Sequence, residues 1–172
     1  MDHFGVGFEM RVEGKCPLTM PKHLKDKVIG EKQIDLTKGE NEIEKEVFSI
    51  FEEAERAEER DLWKKIKARH KSNGLAVLGA EETLEALKIG RAEEILVDKS
   101  TSIKGARCRE CENLWVGEDL TKCPACGSDS VFEVDLAEEL VELAELTSAE
   151  VEFAEGIPGL TEIGGIAAVL RY

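Results

Sequence analysis

The chain has 172 residues, 42% of them hydrophobic, and a formal net charge of −14 at pH 7. That length suits one ordinary domain with a modest insertion. A chain with this much negative charge repels phosphate backbones, so we do not expect nucleic acid as its main partner. The charge then serves either to bind a basic protein partner or simply to keep the protein soluble. No apolar run approaches a membrane span and no signal peptide is visible, so we expect a cytoplasmic protein without a membrane partner.

The first 70 residues predict one long helix after an irregular start. Residues 1–22 carry scattered Gly and Pro and read as a lead-in, and the loose alternation from Lys27 to Leu36 suits a strand. From about Glu40 to His70, apolar residues recur at three- and four-residue steps, which predicts an amphipathic helix. Glutamates fill its other faces, either as a solvated surface or as a partner-binding one.

The middle of the chain predicts short buried strands around a short helix. The run Leu75–Leu78 reads as a buried strand, and the helix Ala80–Ile89 after it is closed by Gly90. A second buried strand follows at Glu94–Val97.

The last 40 residues continue the same alternation. A strand is predicted at Val131–Val134, then a helix capped by Asp135 with Glu138 three residues on, then a strand at Glu150–Phe153. An apolar segment ends the chain at Tyr172.

Strands that alternate with helices predict an α/β fold, a three-layer α-β-α domain with a mixed central sheet. The expected core residues are Ile43, Val47, Phe51, Val77, Leu84, Leu87, Ile95, Leu96, Leu140 and Ile166.

Four cysteines interrupt this pattern with the spacing of a metal site. Cys108 and Cys111 form one C-x2-C pair and Cys123 and Cys126 form another, eleven residues later. Four thiolates satisfy tetrahedral Zn²⁺ and leave no open position, so we expect a structural zinc cofactor. Gly127 follows the second pair, and a glycine there permits the positive φ that often follows such a turn. Two disulfides would need an oxidising compartment, and a redox motif would carry one C-x-x-C at a helix N-terminus.

Three segments together resemble a known family. Gly79–Gly90, Ala92–Val97 and the ending Gly164–Tyr172 are similar to the third domain of archaeal and eukaryotic class I peptide chain release factors and of their relative Pelota. The resemblance implies the fold of kink-turn-binding ribosomal proteins over residues 23–172, with a zinc-ribbon-like minidomain inserted at 104–130. The cysteine insertion is typical of the archaeal release factors and separates the chain from Pelota.

By resemblance, such a domain acts in translation termination by docking, on the ribosome, with a translational GTPase of the elongation-factor type and an ABC-class recycling ATPase. The family's Asn-Ile-Lys-Ser and Gly-Gly-Gln motifs do not occur here, since Gly164-Gly165 is followed by Ile166. We therefore expect the chain to be either a fragment of such a factor or a stand-alone third domain. In both cases we expect no enzymatic activity. The candidate partner-binding residues are Glu52, Glu55 and Glu59 on the long helix.

Two alternatives remain open from the sequence. One is a Pelota-like ribosome rescue domain. The other is an RNA-binding module of the kink-turn type, but Glu81, Glu82 and Glu85 would then face phosphates, so direct nucleic acid binding is not expected. Arg107 and Arg109 could touch RNA or simply offset the thiolates.

Overall fold

A computed structural model of the chain describes residues 37, 39–72, 74–118 and 121–172. The predicted lead-in and the strand predicted at Lys27–Leu36 lie outside the described residues. The elements in chain order are α1 (Glu40–Ser72), β1 (Ala76–Leu78), α2 (Ala80–Lys88), β2 (Ala92–Asp98), β3 (Lys104–Cys108), β4 (Leu114–Val116), β5 (Val131–Asp135), α3 (Leu136–Leu146), β6 (Glu150–Ala154), α4 (Pro158–Thr161) and β7 (Ile166–Leu170).

Four strands form the central sheet in the order β1-β7-β2-β6. Strand β7 is antiparallel to both β1 and β2, whereas β6 is parallel to β2, so the sheet is mixed as predicted. The register places Ile95 of β2 opposite Ala168 of β7 on one side and Val151 of β6 on the other. Since β2 lies between two strands and under helices on both faces, its central residues Ile95, Leu96 and Val97 are apolar without alternation.

Helices cover the two faces of this sheet and complete three layers. Ile95 and Val97 pack on one side with α2 and α3, whereas Leu96 packs on the other with α1 and the short α4. Of the expected core residues, Leu84, Leu87, Ile95, Leu96, Leu140 and Ile166 are fully buried, and Val77 is half-buried against the same core. The three-layer α/β prediction is confirmed.

The first half of α1 departs from the expected core. Ile43, Val47 and Phe51 are only half-buried, and neither core cluster of the described residues includes them. Helix α1 has 33 residues and is about 50 Å long, whereas the longest sheet strand spans only about 23 Å. Only its second half, through Leu62 and Ile66, reaches the sheet.

A second, antiparallel sheet of three strands has the order β4-β3-β5. The strand predicted at Val131–Val134 lies in this sheet rather than in the central one, because it pairs with β3 from Lys104 to Cys108. A Cβ added to Gly105 would lie 3.0 Å from Leu136 Cβ, and Leu114 of β4 is buried in the main core. The base of the small sheet is therefore continuous with the core.

Asp135 links the two parts of the molecule. It ends β5 and forms the N-cap of α3, where its carboxylate accepts a hydrogen bond from the Ala137 N–H at 2.9 Å, as the cap prediction required. The same side chain accepts from Ser102 Oγ at 2.7 Å and from the Ile103 N–H at 3.3 Å. These bonds lower the pKa of Asp135 although burial opposes them.

Candidate metal centre and partner surface

The four cysteines lie together at the tip of the three-stranded sheet. Their sulfurs are all within 4.8 Å of one another. Cys108 and Cys126 are 3.6 Å apart at Sγ, as are Cys111 and Cys123. Four sulfurs about 2.3 Å from a tetrahedral ion would be about 3.8 Å apart, so the donor set fits one thiolate-bound metal ion. All four thiols are free of disulfide bonds.

Both C-x-x-C turns have the same backbone geometry. The N–H of Cys108 donates to Asn113 O at 2.9 Å, and that of Cys123 donates to Ser128 O at 2.8 Å, each across five residues. One residue earlier, Glu112 has φ 55° where Gly127 has φ 76°. The positive φ predicted at Gly127 is confirmed, and its counterpart at Glu112 had no signal in the sequence because a glutamate rarely adopts this conformation.

The four sulfurs oppose one another's ionisation. Burial opposes ionisation of Cys123, but N–H donors from Cys126 and Ala125 outweigh it and lower the pKa of Cys123 to about 6. The Asn113 N–H favours the thiolate of Cys111, yet the three neighbouring sulfurs raise the pKa of Cys111 to about 12. Each negative sulfur raises the cost of the next, and a bound dication would remove that cost.

Side chains of the main domain contact the first cysteine turn and strand β3. Lys88 of α2 donates to Leu114 O at 2.5 Å and to Asn113 Oδ1 at 3.2 Å. Arg107 of β3 pairs with Glu139 of α3 at 2.9 Å. Helices α2 and α3 therefore contact the first cysteine turn and strand β3, and the sequence could not show this because the partners are 25 to 32 residues apart.

Three basic residues near the cysteines have partners of their own. Arg107 is paired, Lys104 bonds Glu118 at 2.8 Å, and the guanidinium of Arg109 lies 4.6 Å from the centre of the Phe132 ring. These contacts compete with any contact to a phosphate backbone.

The proposed acidic surface on α1 divides into exposed and buried residues. Glu55 is exposed, and the side chain of Glu52 is 60% exposed and only 3.7 Å from Arg56. Glu59 does not belong to that surface, because it is 4% exposed and its Oε2 accepts the Glu155 N–H at 3.3 Å. It joins α1 to the loop between β6 and α4.

Carboxylates crowd around this contact. Burial, followed by the negative charges of Glu59, Glu58, Glu94 and Glu55, raises the pKa of Glu152 on β6. Of these, Glu94 has a counter-ion, since Lys65 Nζ lies 2.8 Å from its Oε2.

The sequence also did not predict the hydrogen bonds that Arg171 makes near the end of the chain. The guanidinium of Arg171 donates to Ser148 O at 2.6 Å, to Thr147 O at 3.3 Å and to Gly90 O at 3.1 Å. It thereby satisfies carbonyls at the C-terminal ends of α2 and α3.

In the part of the chain that the structure describes, no helix combines the length and apolarity of a membrane span.

Comparison with known proteins now gives these features a context. No family model matches the chain. Peptide chain release factor subunit 1 of Thermococcus onnurineus is 34% identical over 174 residues, and that of Thermococcus kodakarensis is 31% identical over 173 residues. Each match covers 87% of this chain and 41% of the relative, so the chain spans about two fifths of the length of the curated relatives it matches.

Two solved structures share the fold. The C-terminal domain of peptide chain release factor from Methanosarcina mazei matches with a TM-score of 0.59 at 23% identity, over 82% of this chain and 98% of that one. Pelota from Archaeoglobus fulgidus matches with a TM-score of 0.52 at 20% identity, over 84% of this chain and 39% of that one. The chain thus has the fold of that release factor C-terminal domain, and a part of Pelota shares it.

Within that class, the sequence matches identify the relatives. Across 87% of its length, the chain is a homologue of archaeal peptide chain release factor subunit 1.

Proposed function

We propose that the chain is a docking module of translation termination in the cytoplasm. In this role it binds a translational GTPase of the elongation-factor type and the ABC-class recycling ATPase on the ribosome, without hydrolysing peptidyl-tRNA. The observation that carries the proposal is the 31–34% identity to release factor subunit 1 over 87% of the chain, together with the fold of the C-terminal domain.

The chemistry of the described residues favours docking over catalysis. Their one cluster of potential metal ligands is the set of four cysteines, and four thiolates leave no coordination position for a substrate. The sequence contains neither Gly-Gly-Gln nor Asn-Ile-Lys-Ser. The chain is therefore proposed to have no catalytic activity.

The metal at the cysteine site is proposed to be Zn²⁺, bound by Cys108, Cys111, Cys123 and Cys126 in a structural role. Support comes from the fit of the four sulfurs to a tetrahedral ion and from the preference of soft thiolates for zinc. Elemental analysis of protein purified without added metal should give about one zinc per chain. A chain that is folded, reduced and free of metal would contradict the assignment.

The first half of α1 is the proposed docking face for the GTPase. It extends beyond the sheet and exposes Glu52 and Glu55, with Phe48 beside them 60% exposed. An acidic rim around an aromatic side chain suits a basic surface with an apolar pocket. Glu59 takes no part, because it is buried against the loop at Glu155.

A charge-reversal experiment tests this face. We would titrate the archaeal elongation-factor GTPase, loaded with GTP, against the chain and against the double variant Glu52→Lys, Glu55→Lys. The reversal should weaken binding at least tenfold, mainly through slower association that also depends on salt. The matched control is Glu81→Lys, Glu85→Lys, which makes the same charge change on exposed positions of α2 on the other side of the sheet.

The outcomes separate the location from the interaction. If both variants weaken GTPase binding equally, the effect comes from net charge alone, and a docking face on α1 would be contradicted. Undetectable binding of the unmodified chain at tens of micromolar would contradict GTPase docking itself.

A further inference from the structure

We propose that the four-cysteine cluster is also an oxidation site, at which a peroxide converts the cysteines into two disulfides, Cys108–Cys126 and Cys111–Cys123, with loss of the metal. The inference deepens the proposed metal site but rests on the cysteine geometry itself, and it holds for any thiolate-bound ion.

The pairing rests on two sulfur–sulfur contacts of 3.6 Å. The two sulfur pairs at 3.6 Å both join one C-x-x-C turn to the other, not the two cysteines of a single turn. A disulfide bond is about 2.05 Å long, so each pair must close by about 1.5 Å. These two contacts can therefore become bonds with a small rearrangement of the turns.

Exposure gives the two members of each pair different roles. Cys126 is exposed whereas its partner Cys108 is buried, and Cys111 is exposed whereas its partner Cys123 is buried. An oxidant in solution therefore meets Cys111 and Cys126 first. The buried member of each pair lies within 3.6 Å to complete the reaction.

The reaction balances with peroxide as the oxidant. The exposed thiolate attacks one peroxide oxygen, the O–O bond breaks, and the protonated second oxygen leaves as water while a sulfenic acid forms. The buried thiolate then attacks that sulfur, the S–O bond breaks, and a second water leaves. Two peroxides and four protons thus convert four thiolates into two disulfides and four waters.

Oxidation in this pattern would replace the metal by covalent links between the same two turns. The oxidised minidomain should therefore keep the arrangement of its turns after the metal has gone. Disulfides within each turn would instead leave the turns unconnected. The switch is local, since the base of the small sheet is held by Leu136 and Lys88 of the main domain.

Disulfide mapping tests the proposal directly. The zinc-loaded, reduced chain is treated with hydrogen peroxide in slight excess over two equivalents, alkylated, digested and analysed by mass spectrometry, while a chromophoric chelator measures released zinc. We expect Cys108–Cys126 and Cys111–Cys123 peptides and about one zinc released per two disulfides. Metal content measured before peroxide is added separates failure of zinc binding from failure of the oxidation.

Two further measurements keep the result decisive. Dimedone present during a brief exposure should trap sulfenic acid on Cys111 and Cys126, not on Cys108 and Cys123. The control Cys16→Ala removes the cysteine outside the cluster and should leave the map unchanged. Disulfides within the turns, retention of zinc, or sulfinic acids without disulfides would each overturn the proposal.

Discussion

Single residues of this chain show where charge is tolerated and where it costs stability. Glu59 is buried but accepts a backbone N–H, whereas Glu152 lies half-buried on β6 among other carboxylates. Nothing in the sequence distinguishes these two glutamates from the many others. For Glu59, the helical period does not show whether the side chain is exposed or contacts a distant loop. The cysteines are the opposite case, because their ligand spacing is local and predicts their proximity.

The residue Glu152 makes a pH-dependent contribution to stability. Its folded-state pKa is raised, first by burial and then by Glu59, so the folded state binds the proton more tightly than the unfolded state does. Its favourable contribution is fully present below the ordinary glutamate pKa and is lost as pH rises through the folded-state pKa. Glu152→Gln should therefore increase the free energy of unfolding at pH 7.

Urea unfolding at several pH values measures this effect. The advantage of Glu152→Gln over the unmodified chain should shrink as pH falls through the raised pKa of Glu152. Glu142→Gln, an exposed position on α3, is the control and should show no comparable gain. A gain that stays constant from pH 7 to pH 4 would contradict the electrostatic cause.

At the scale of helices and strands, apolar periodicity predicts which elements form but not how far each one is covered. Apolar periodicity located α2 and α3, and a short apolar run located β2, because their apolar residues meet the two faces of one sheet. The same pattern in the first half of α1 predicted burial for Ile43 and Val47, which the sheet is too short to provide. Sheet extent depends on pairing between distant strands, which a local period does not contain.

Helix α2 offers a matched pair for testing the core. Leu87 is 0% exposed, whereas Ile89 at the C-cap is 63% exposed. Leu87→Ala should cost about 2–5 kcal/mol of unfolding free energy because it leaves a cavity between α2 and the sheet. Ile89→Ala should cost less than about 1 kcal/mol. Comparable losses for the two variants in denaturant unfolding would contradict the observed orientation of α2.

The described residues form a three-layer domain and a four-cysteine tip that share a base. Sequence spacing predicted the cysteine minidomain as an insertion at 104–130, whereas the small sheet extends to Asp135 and packs on Leu136. The contacts of Gly105 and Lys88 with the rest of the domain are tertiary, so no local pattern could reveal how firmly the insertion is attached.

Removal of the metal should therefore loosen only the tip. Chelation, or Cys108→Ser, should raise amide hydrogen exchange in the turns around Cys111 and Cys126, because those turns depend on the ion for their connection. Exchange in β2, β7 and the Lys104–Arg107 part of β3 should change little. Loss of protection throughout the central sheet would contradict this division.

The proposed role requires the chain to bind the same GTPase as an intact release factor does. Competition is its most direct test. Fluorescently labelled GTPase in its GTP state is saturated with an intact archaeal release factor, and the metal-loaded chain is added while anisotropy is followed. The chain should displace the intact factor fully and in a dose-dependent way, and the variant Glu52→Lys, Glu55→Lys should displace it much more weakly. Survival of the complex between GTPase and intact factor in a large excess of folded, metal-loaded chain would contradict the proposed docking role.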